Sequence, residues 1–67
     1  MEIERRLAER VKAERLAKGW SQEELAHRAG LHRTFISQVE RAAKISTIRS
    51  VEKIAVAFGV KPGVLLD

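Results

Sequence analysis

The 67-residue chain has no cysteine, no tyrosine, a single proline and no aspartate before Asp67. Without cysteine there is no disulfide framework and no thiolate metal site, and nothing argues for an oxidising compartment. No apolar run approaches the ~18 residues a membrane span needs. Met1–Arg10 alternates charged and apolar residues, unlike a signal peptide. The Ser and His residues lack an orienting acid at a meaningful position, so catalysis is not expected. His27 and His32 stand five apart across a turn, which does not bring two ligands onto one helix face, so neither a metal nor a cofactor is expected. A chain this short buries only about 60% of its unfolded surface, enough for a small core and too little for an enclosed cleft.

What is present is a globular composition. A hydrophobic content of 45% with one proline excludes a disordered chain. Thirteen Lys and Arg against nine Asp and Glu leave a net charge of +4. That balance points mildly to a polyanionic partner, although thermophilic chains are also rich in charge. A cytoplasmic protein with no membrane contact is the expectation.

Glu2 to Lys18 is built from strong helix formers without Gly or Pro, and Ile3, Leu7 and Val11 give it an apolar stripe. Gly19 supplies a left-handed stop. Ser21-Gln22-Glu23-Glu24 reads as a capping box that opens a second helix, which runs to about Arg28 and ends at Gly30. A third helix spans roughly Arg33 to Arg41, with His32 as its cap. Ala42 to Ser46 connect it to a fourth, capped by Thr47, in which Ile48, Val51, Ile54, Ala55 and Phe58 keep the spacing of a buried face. Gly59 stops that helix, and Pro62 suits the first turn of a short fifth one. The predicted fold is all-α with five helices, a single domain over residues 1–67.

Helices two and three with the turn at Gly30 have the spacing of a helix-turn-helix over about residues 21–41. Ala26 is small where the helices must cross, and Gly30 follows four positions later. Leu25, Leu31, Ile36 and Val39 are placed to lock both helices to the core. On a helical wheel Arg33, Thr34, Ser37, Gln38 and Arg41 share one arc that holds no acid. A guanidinium, an amide and hydroxyls are the groups that read base edges in the major groove.

Ser21-Gln22-Glu23-Glu24-Leu25-Ala26, Ala29-Gly30-Leu31 and Ile36-Ser37-Gln38-Val39-Glu40-Arg41 resemble the phage repressor/Cro-type (XRE) helix-turn-helix family. Leu31-His32-Arg33-Thr34-Phe35-Ile36-Ser37 is most similar to the controller proteins of restriction–modification systems. The resemblance implies a compact, lambda-repressor-like domain that binds double-stranded DNA as a transcriptional regulator. It implies base reading by Arg33, Thr34, Ser37 and Gln38, and phosphate contacts by Gln22, His32, Arg41, Lys44 and Arg49. It also implies a partly buried ion pair between Arg15 and Glu40. Three residues depart from the family pattern. Ala42 stands where Gly is usual, which suggests a more helical exit from helix three. Ser46 replaces a frequent Pro, and Phe35 a frequent Tyr.

Val60, Val64, Leu65 and Leu66 crowd the C-terminal segment, more apolar surface than a short fifth helix can bury. They are the expected interface of a homodimer on a palindromic operator. An activator would meet RNA polymerase as well. The rival expectation, from a different class, is an antitoxin or adaptor on the same fold whose main partner is a protein.

Overall fold

The computed structural model describes residues 2–42 and 47–66, which form five helices and, among those residues, no strand. The helices are α1 (Glu2–Ala17), α2 (Gln22–Ala29), α3 (Arg33–Glu40), α4 (Ile48–Phe58) and α5 (Pro62–Leu66). Helices α1 and α3 stop one residue short of the boundaries read from the sequence. No helix among the described residues is long and apolar enough to cross a membrane.

Local chemistry accounts for the helix ends. Glu2 and Glu4 lie in the first turn of α1 and Arg15 in its last, complementing the helix dipole at both ends. The Ser21 hydroxyl accepts from the Glu24 backbone N–H at 3.0 Å, but Glu24 does not reach back. Its carboxylate instead accepts from Arg28 Nε at 2.7 Å, so only half of the expected capping box forms. Gly30 takes φ +68°, and the Leu31 N–H then reaches the Ala26 carbonyl at 2.9 Å. This closure turns the chain sharply enough for α3 to cross α2. Thr47 caps α4 through the Ser50 N–H at 3.1 Å.

Each helix turns one stripe inward. Val11 of α1, Leu25 of α2, Ile36 and Val39 of α3, Ile54 of α4 and Leu65 of α5 are fully buried and meet in one core. Helix α2 packs on α3 and α4, α1 packs on α3 and α5, and α4 packs on α5. Two eight-residue helices, marginal in isolation, are therefore held by their neighbours. Trp20 and Phe35 pack part-buried against this core. The Trp20 ring stacks on Phe58, 5.8 Å between centroids, and the Arg28 guanidinium covers it at 4.3 Å.

Three further expectations are corrected here. Ile48, read with the buried face of the fourth helix, is 81% exposed on the first turn of α4. Leu65 is completely buried, because α5 lies against α1 and α4 and turns this residue into the core. It cannot serve a dimer surface. Val60 and Val64 are half-buried and Leu66 is 39% exposed. Ala42 does not prolong α3: it sits at φ +55°, the left-handed geometry a glycine would adopt at little cost. Lys44 and Ser46 lie outside the described residues.

Candidate nucleic-acid interface

The positioning of α3 begins at its cap. His32 Nδ1 accepts the Thr34 backbone N–H at 3.0 Å, which leaves Nε2–H as the ring's outward donor. From there Ile36 and Val39 pin one side of the helix in the core, and Phe35 packs beside them. The opposite side carries the residues expected to read bases. Arg33, Thr34 and Arg41 are exposed, while Ser37 and Gln38 are half-buried. No acid interrupts that face.

Helix α2 contributes Gln22. With Arg33, Thr34 and Ser37 it lines a polar concavity of 210 Å³ where the start of α2 meets α3. The structure thus brings one expected phosphate-binding residue together with three of the expected base readers. Arg49 is placed elsewhere, exposed on the first turn of α4 in a shallow groove shared with Arg28 and Lys53.

Behind this face lies a polar knot. Arg15 Nε donates to Glu40 Oε2 at 2.7 Å and Arg15 Nη2 to Oε1 at 3.0 Å, a bidentate pair with side chains only 10% and 4% exposed. Arg15 Nη1 also donates to the Trp20 carbonyl at 2.7 Å, just before the α2 cap. Hydrogen bonding to Glu40 raises the Arg15 pKa above its ordinary value against the opposing effect of desolvation. Gln22 Nε2 completes the knot by donating to Glu40 Oε1 at 3.1 Å. The sequence reading missed that bond, between residues 18 apart in different helices, and the Trp20–Arg28 stack, between a loop residue and a helical one, since neither pairing carries a periodic signal.

A family model described as helix-turn-helix matches residues 11–65. The chain belongs to the helix-turn-helix family. Its relatives include a hypothetical transcription factor of Neisseria meningitidis, 48% identical over 54 residues, which cover 81% of this chain and 51% of that protein. The chain therefore spans about half the length of that relative. Among solved structures it resembles the restriction–modification controller protein C.AhdI of Aeromonas hydrophila. That match has a TM-score of 0.92 at 32% identity and covers 97% of this chain and 98% of that one. It also resembles the biofilm regulator SinR of Bacillus subtilis, solved in complex with DNA. The SinR match has a TM-score of 0.86 at 34% identity, over 91% and 98% of the two chains.

Proposed function

We propose that this helix-turn-helix protein is a DNA-binding transcriptional regulator that inserts α3 into the major groove. Arg33, Thr34, Ser37 and Gln38 meet base edges, and Gln22, His32, Arg41, Lys44 and Arg49 meet phosphates. The observation that carries this reading is the acid-free, donor-rich face of α3, on a helix fixed from behind by Ile36 and Val39. A rigid helix of that kind suits a groove lined with acceptors and flanked by phosphates. Likeness to a controller protein and to a regulator solved with DNA supports it, and the likeness to the controller protein favours control of a restriction–modification operon. Binding rather than catalysis is the role, exercised at the nucleoid in the cytoplasm.

Four base-reading side chains are too few to single out one site among ~10⁶ genomic positions, so a two-fold dimer on a palindrome is the working form. Its half-sites lie ~34–36 Å apart. With Leu65 in the core, the surface suited to a second copy shifts to an apolar groove of 230 Å³. Ile3, Ile48 and Leu66 line it at 52%, 81% and 39% exposure, beside Leu7, Val51, Pro62 and one acid, Glu4. Half-buried Val60 and Val64 are left as minor contributors.

Selection of sites from random duplex DNA tests both parts. The expected result is a palindromic consensus whose affinity falls steeply with salt. A pool with no enriched site would overturn the reading in favour of a protein-interaction module.

A further inference from the structure

The Glu40 carboxylate has more to do than neutralise Arg15. It is nearly sealed from water, and Oε1 accepts from both Arg15 Nη2 and Gln22 Nε2. Two strong donors from α1 fill the carboxylate from one side, and the carboxylate in turn holds the Gln22 amide nitrogen. An amide whose nitrogen is committed to a carboxylate cannot flip, since its oxygen would then face an anion. One N–H of Gln22 is thereby spent, and the second is its only remaining amide donor. Gln22 is also the α2 residue that lines the concavity with Arg33, Thr34 and Ser37.

We propose that Glu40, itself held by Arg15, is a positioning residue for DNA: it locks the Gln22 amide so that its free N–H meets a backbone phosphate. The inference rests on the DNA-binding reading above. Its physical content is preorganisation. A glutamine free to rotate loses roughly 0.5–1.5 kcal/mol of rotamer freedom when it is immobilised on a ligand, equivalent to about a two- to tenfold change in affinity. Here the fold itself has ordered the side chain. The coupling also links the backbone grip on α2 to the far end of the base-reading helix, because Glu40 is the last residue of α3.

The test measures affinity of the full chain for two duplexes: one selected by the wild-type protein and a random-sequence duplex of equal length. Gln22→Ala is expected to weaken both about tenfold, the loss of one hydrogen bond to a charged group. In the Arg15→Met/Glu40→Leu background, which refills the knot with apolar side chains, affinity is expected to fall roughly two- to tenfold. There Gln22→Ala is expected to cost distinctly less than in the wild type. An equal loss from Gln22→Ala in both backgrounds overturns the proposal while leaving DNA binding intact. Failure of the wild-type chain to bind any duplex overturns the underlying reading instead. If the Arg15→Met/Glu40→Leu chain does not fold, side-chain amide NMR of the wild-type protein decides. Slow hydrogen exchange at one Gln22 amide proton, with the other shifting as DNA is added, supports the lock. Exchange as fast as that of a free glutamine at both protons refutes it.

Discussion

Replacing Arg15 by Met keeps most of the aliphatic stem and removes three hydrogen bonds, two to Glu40 and one to the Trp20 carbonyl. The loss of those bonds is the smaller part of the damage. Glu40, 4% exposed, would be left as a buried anion with Gln22 Nε2 as its remaining hydrogen-bond donor. Breaking a buried pair from one side typically costs ~3–5 kcal/mol. Arg15 lies at the rim of the core with 10% of its side chain in contact with water, so the lower end, about 3 kcal/mol, is the appropriate figure. At ~0.05–0.15 kcal/mol per residue the whole domain is stable by about 3–10 kcal/mol. The variant should therefore lose a third or more of its stability and melt roughly 12–24 °C lower.

The control is Arg6→Ala. Arg6 is 57% exposed and lies 3.4 Å from Glu2, which keeps Arg5 at 2.7 Å. Its removal should change stability by less than ~0.5 kcal/mol. The decisive variant removes both charges. Because two ions were desolvated to make the pair, Arg15→Met/Glu40→Leu should recover most of what Arg15→Met loses. Thermal and urea unfolding followed by circular dichroism measure all three. A double variant no more stable than Arg15→Met, or an Arg15→Met that melts with Arg6→Ala, would refute the reasoning. The pH dependence carries a sign as well. The raised pKa of Arg15 means that its contribution is complete below the arginine's unfolded value and fades only as pH rises through the higher folded value. Mild alkali should therefore leave the pair intact.

Three further outcomes are expected. Arg33→Ala and Gln38→Ala should relax preference at particular base pairs by ~1–3 kcal/mol in site selection, whereas Arg49→Ala should weaken all sequences alike and lower the salt slope by about one. Ile48→Glu should abolish dimers in sedimentation while leaving the melting temperature in place, because the side chain is 81% exposed. Leu65→Ala should instead cost ~2–5 kcal/mol, as expected for a fully buried side chain. Ala42→Gly should hold or raise the melting temperature: relief of a left-handed alanine is worth ~1–2 kcal/mol, and the added unfolded-chain freedom returns ~0.5–1 kcal/mol of it.

The features that were legible in the sequence are those written in local chemistry. Gly30 and Gly59 mark helix ends because their φ values of +68° and +75° suit a residue without a side chain, and both could be read from their place just after a periodic segment. The buried faces of α3 and α4 follow from period 3.6, which is why Ile36, Val39, Ile54 and Phe58 were found, although the same period wrongly put the exposed Ile48 of the first turn on that face. Periodicity loses its power in α5. A five-residue helix has barely more than one turn, so Val64, Leu65 and Leu66 look alike until neighbouring helices choose between them. Packing against α1 and α4 selects Leu65 and leaves Leu66 outside.

Ala42 shows the opposite failure. Its high helix propensity suggested that α3 would run on, yet the backbone there is set by where α3 must stop. The helix ends at Glu40, the residue that the Arg15–Glu40–Gln22 knot ties to α1 and α2, and the Ala42 N–H then donates to the Val39 carbonyl at 3.0 Å. Closing that turn takes the left-handed region, so alanine accepts a glycine's geometry at a cost of ~1–2 kcal/mol. The same knot gathers Gln22 to the face that carries Arg33, Thr34 and Ser37. Periodicity listed Arg33, Thr34 and Ser37 and the family resemblance listed Gln22, but neither joined Gln22 to α3, because the group that does so is the Glu40 carboxylate buried behind that face.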